Sequence, residues 1–276
     1  MCNYRRGYAA ICALVVGLAI VIPAEGALVT FAGTGSGADG GTVSAEATFS
    51  ISGNILTIVL TNTSSTPTAN NGQVLTGVTW DFNPNLAGSL SPFPDASSNP
   101  SLTAGSDIWV TSGSSGGQTT YVIDNNTQLG GTWTSKTSDS TFASAGLGDY
   151  GYATTGANGL FAAGTMVGGK TGSANYGLVS ASTYLTDPTT LPNGTGPQSL
   201  PLVENSITIN FEYTGTDSFT IDRITGAKFL VGTNGAYFSG AQQPLTVLPE
   251  PASIIVWGSA LLCAGLVLCR RRRAES

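Results

Sequence analysis

Residues 43–51 read "VSAEATFSI" and alternate without a break. Val43, Ala45, Ala47, Phe49 and Ile51 fall on one side of an extended chain. Ser44, Glu46, Thr48 and Ser50 fall on the other. A helix would scatter both sets around its circumference, whereas a strand sorts them into two faces. Ser52-Gly53-Asn54 follows, and then "ILTIVLTN". Two apolar strands around a short Gly-Asn turn predict a β-hairpin.

The same period returns along the chain. Val74, Thr76, Val78, Trp80 and Phe82 alternate in "VLTGVTWDF", and Ile207, Ile209, Phe211 and Tyr213 in "SITINFEY". "DSFTIDRI" comes next across Thr214-Gly215-Thr216, and "AKFLVG" across Thr225-Gly226, so these last three segments are expected to form a meander. Shorter strands are expected at 107–111, 119–123 and 176–182. No long segment between Ala27 and Leu248 has the 3.6-residue period of an amphipathic helix. The expected fold class is all-β, a single β-sandwich or jelly-roll-like domain over 27–248. Hydrophobic residues make up 41% of the chain, enough to build one core of Val, Ile, Leu, Phe and Trp. Residues 84–105 and 185–202, rich in Pro, Ser, Asn and Gly, read as long surface loops of that domain. The glycines of 138–173 read as bends, bulges or a lobe.

Charge and cysteine are segregated. Between Ala27 and Leu248 lie four cations (Lys136, Lys170, Arg223 and Lys228) against thirteen carboxylates, net −9. Such a body repels phosphate backbones, so nucleic acid is excluded as a partner. The four cysteines (Cys2, Cys12, Cys263 and Cys269) all lie near the two ends. The body therefore has no disulfide framework, thiolate metal site or cysteine nucleophile.

The two ends read as addresses. Arg5 and Arg6 precede an apolar run from Ala9 to Ile22, and small residues follow, with cleavage expected between Gly26 and Ala27. This is the layout of a secretory signal peptide over 1–26, a signal helix removed on export. An apolar run of about 14 residues falls short of the roughly 20 that span a bilayer comfortably. At the other end, "VLPEPASIIVWGSALLCAGLVLCRRRRAES" places an uncharged stretch, Ile254 to Cys269, before Arg270, Arg271, Arg272 and Arg273. At about 1.5 Å per residue that stretch crosses a thin bilayer as a transmembrane helix. The arginines resist translocation and stop transfer.

Pro249-Glu250-Pro251, the apolar stretch and the arginine cluster, in that order, resemble the PEP-CTERM sorting signal of bacterial surface proteins. The resemblance covers 249–276 and implies recognition by an exosortase, a membrane enzyme that cuts near the tripeptide. It makes Pro249, Glu250 and Pro251 the recognition motif of a substrate. It further implies export by the general secretion machinery and passage through the inner membrane. The end point is then the cell surface or extracellular matrix, with exopolysaccharide and biofilm as the expected surroundings. The sortase signal Leu-Pro-x-Thr-Gly has a similar layout, but Leu248-Pro249-Glu250-Pro251-Ala252 departs from it at the two positions sortase chemistry needs. The body, through "ATFSISGNILTIVLTNTS", "VLTGVTWDF" and "NYGLVSAS", is loosely similar to a group of such surface proteins without assigned activity; this implies a shared fold and supplies no site.

The body has no histidine, so Ser-His-Asp and Cys-His machinery is ruled out, and zinc is not expected. "GTGSGADGG" lacks the strand-turn-helix context of a dinucleotide loop and reads as a turn. Neither a catalytic residue, nor a metal, nor a cofactor is expected. Paired carboxylates could still hydrolyse a glycosidic bond if two sat about 5 to 10 Å apart. Asp81, Asp107, Asp124, Asp149 and Glu212 qualify by type. "DNNTQLGG" at Asp124 gathers oxygen ligands without EF-hand spacing and reads as a polar turn. The candidate sugar-binding residues are Trp80, Asp81, Trp109 and Trp133, with Tyr150 and Tyr152 beside them, because aromatic faces stack on sugar rings. Three functions compete: a non-enzymatic surface or matrix protein, a secreted carbohydrate-binding module, and a polysaccharide-acting hydrolase. The first is preferred.

Overall fold

The computed structural model describes residues 27–37, 40–94, 99–115, 118–130, 132–137, 142, 144–154, 157, 161, 176–183, 201–232 and 236–244. They belong to one compact unit, Gly26–Thr246. The expected signal helix, the sorting motif, the apolar helix and the arginine tail lie outside the described residues. Within the described residues no helix is long and apolar enough to cross a membrane.

The protein is all-β. The first strands are β1 (Leu28–Ser36), β2 (Thr42–Ser52), β3 (Ile55–Asn62), β4 (Leu75–Phe82) and β5 (Ser89–Pro92). Then come β6 (Ser101–Leu102), β7 (Ile108–Ser115), β8 (Gln118–Ile123), β9 (Trp133–Thr137) and β10 (Tyr150–Thr154). The last are β11 (Leu178–Val179), β12 (Leu202–Glu204), β13 (Ser206–Thr214), β14 (Ile224–Val231) and β15 (Ala236–Gln242). All fifteen belong to one large sheet, ordered β5-β13-β3-β2-β1-β15-β14-β4-β11-β12-β7-β8, with β6 on β13 and β10 and β9 branching from β4.

The β2–β3 hairpin forms as expected. Ser52 pairs with Ile55, leaving Gly53-Asn54 as a two-residue loop, and Gly53 takes φ +61°. A positive φ at the first loop position is what a type II′ turn requires, and glycine takes it without strain. Val43, Ala45, Ala47 and Phe49 are buried, while the serines, Glu46 and Thr48 between them are half-exposed. On β13, Ile207, Ile209, Phe211 and Tyr213 are likewise buried.

The inner faces of the two halves of the strand order share one apolar cluster. Phe49 of β2 meets Trp80 of β4 at 6.0 Å between ring centroids, edge-on. Phe211 of β13 meets Trp80 at 5.6 Å and Tyr152 of β10 at 5.4 Å. Each such ring removes 150–250 Å² from water, and each aromatic pair adds about 0.5–1.5 kcal/mol beyond that burial. β15 joins the halves. Its Ala236–Gly240 stretch pairs with β14, while Ala241 and Gln242 pair with Ala32 and Phe31 of β1.

Three expectations need correction. The last three segments do not form a meander. β13 pairs with β3, β5 and β6, whereas β14 pairs with β4 and β15, so 215–223 is a crossover between the halves. Second, 84–105 is not all loop, because β5 and β6 add to the free side of β13. Third, β4 is not a half-buried strand. Val78 and Trp80 on one face and Thr79 on the other are all buried, since a second cluster of Phe142, Leu147, Ala153, Ala157, Phe161 and Leu230 covers the far side; a bulge at Thr76 puts Leu75, not Val74, in the main core with them. Part of the glycine-rich stretch 138–173 supplies that cover. At Gly151 a Cβ would lie 2.7 Å from Phe142 Cζ and 2.9 Å from Phe161 Cζ, so only glycine lets the two rings settle on the sheet.

Candidate functional site

The aromatic candidates face inward. Trp80, Trp109 and Trp133 are 1%, 5% and 3% exposed, so none presents a ring face to a ligand in solution. Trp80 stacks on Tyr150 with centroids 6.1 Å apart, and its Nε1 is buried with no hydrogen-bond partner. Trp133 stacks on Tyr152 at 5.9 Å and donates from Nε1 to Tyr176 O. Trp109 donates from Nε1 to Glu204 Oε2 at 2.8 Å. Tyr152 donates its hydroxyl to Asn99 O at 2.7 Å, and burial pushes its pKa far above the ordinary phenol value. Burial likewise raises Tyr150, with the Asp149 carboxylate adding to the shift. The alternation of residues 74–82 had already set Trp80 with the apolar residues of its strand. An amphipathic strand buries its largest apolar groups first.

The carboxylates hold loops in place. Asp81 Oδ1 accepts from the Asp149 amide at 2.8 Å, which brings two acids to the β4–β10 end. Gly148 runs so close that a Cβ there would lie 2.7 Å from Asp81 Oδ1, so main chain fills the space against it. Asn85, with its amide turned to suit its neighbours, donates to Phe82 O and to Asp149 Oδ2. Asp124 accepts from Asn126 N–H at 3.2 Å and from the Thr127 hydroxyl at 2.8 Å, a polar turn. Asp107 accepts from Asn125 Nδ2 at 2.7 Å, and Glu212 from Asn54 Nδ2 at 2.9 Å. Among the described residues no group of three or more His, Cys, Asp or Glu is placed to hold a metal ion.

The sequence drew attention to Arg223 only as the lone arginine of the body, and its role was not legible there. Its side chain is buried in the crossover. Nε and Nη2 donate to Pro84 O, Nη2 also to Asn85 O, and Nη1 to Asp217 Oδ2 and Ser218 O. One guanidinium fork thus fastens 217–223 to the loop after β4. The same contact holds the Asp217 carboxyl below the usual carboxylate range. With every nitrogen donating to the protein, this arginine is not a free anion receptor.

The first and last strands meet. Phe31 pairs with Gln242, and Gln243 N–H donates to Thr30 O at 2.7 Å. The antiparallel sense brings the start of β1, one residue past the expected cleavage at Gly26–Ala27, to the same end of the fold as the exit of β15. Comparison with known proteins adds no relative: no protein-family model, curated protein or solved structure matches the chain.

Proposed function

We propose that this chain is an exported, non-enzymatic surface or extracellular-matrix protein. In this reading 1–26 is a signal peptide used by the general secretion machinery. The C-terminal segment, with its transmembrane helix at 254–269, is a PEP-CTERM-type sorting signal processed by an exosortase. The body is then a two-layer β-sandwich module that resides transiently at the inner membrane. It goes on to the cell surface or matrix, with exopolysaccharide of a biofilm as its surroundings.

One observation carries the reading. Pro249-Glu250-Pro251, the uncharged Ile254–Cys269 and Arg270–Arg273 stand in register just beyond the last strand, which ends at Gln242. A stop-transfer cluster is needed only if the preceding body has crossed a membrane. The inward tryptophans and the loop-holding carboxylates favour a structural or adhesive module over the two alternatives. A carbohydrate-binding module would need open ring faces, and a hydrolase two carboxylates facing one cleft.

The test is the intact mass of the protein from its native cells. The expected chain begins at Ala27 and ends close to Pro251. A mature chain that still carries Ile254 to Ser276 overturns the processing step and leaves a membrane-anchored surface domain.

A further inference from the structure

We draw no further inference here: the strongest candidate, the hydroxyl-lined outer sheet face of β1, β2, β3 and β13, where Thr30 bonds Thr48 and Thr57 bonds Asn210, carries nothing because its hydroxyls bond one another across the strands and nothing in the structure shows what covers it.

Discussion

Trp109 Nε1 donates to Glu204 Oε2 at 2.8 Å and ties β7 to β12. The two strands pair alongside it, Leu202 with Trp109 and Val203 with Ile108. Burial pushes the Glu204 carboxyl above its ordinary value; the Trp109 bond opposes the shift, and the nearby Asp107 carboxylate adds to it. Glu204 therefore holds its proton more tightly in the folded state than in the unfolded one.

The pH dependence follows from that sign. Ionised Glu204 costs stability above its raised folded pKa. The cost fades as pH falls through that value and is absent below the unfolded pKa. Glu204→Gln keeps an acceptor for the indole and removes the charge. The variant is expected to melt at or above the parent temperature near pH 7, with the advantage vanishing below about pH 4, where a free glutamate is protonated. An advantage that persists at pH 3 would assign the effect to packing.

Trp80 and Trp133 differ in one bond, and stability should report it. Trp133 donates to Tyr176 O, whereas Trp80 Nε1 is buried without a partner. Trp133→Phe loses ring volume and also strips a carbonyl of its donor; Trp80→Phe loses volume and an unsatisfied donor. Urea unfolding is expected to find Trp133→Phe the more costly by about 1–2 kcal/mol. Trp80→Ala, which empties the centre of the core, is expected to cost about 3–5 kcal/mol.

Arg223 fastens the crossover by its fork. Arg223→Met removes the donors of Pro84 O, Asn85 O and Ser218 O, and about 1–3 kcal/mol is expected to be lost. Pro84 and Asn85 are exposed, so water can replace part of what is removed. Arg223→Lys keeps the charge without the fork and should recover only part of the loss. Equal stability of the lysine variant and the parent in chemical denaturation would contradict this account.

Gly151→Ala tests the second apolar layer. The new methyl would meet the Phe142 and Phe161 ring edges at under 3 Å. Overpacking of this kind costs about 1–3 kcal/mol. The rings that cover β4 and β10 are expected to lift, read as faster proteolysis at the glycine-rich stretch 138–173. A variant as protease-resistant as the parent would show that the cover adjusts without loosening.

What the sequence determined is local. Alternation over 43–51 assigned strand and face together, because successive side chains of an extended chain point to opposite sides. Ser52-Gly53-Asn54 set the hairpin register through a turn that closes over two residues. Alternation over 74–82 likewise set Trp80 with the apolar residues of its strand, and it is buried there. Tertiary structure decided the long-range pairing. No local period tells that β1 meets β15 some 200 residues away, or that β13 and β14 part to opposite halves although only nine residues separate them. Those partners are chosen by which apolar faces close one core and which edges remain free. Nor could period reveal that β4 is covered twice, since the second cover comes from a stretch of glycines with scattered aromatics. Arg223 is the clearest case. Its sequence neighbours mark it only as a charge, and its role arises because a crossover and a loop 139 residues away bring their carbonyls to one guanidinium.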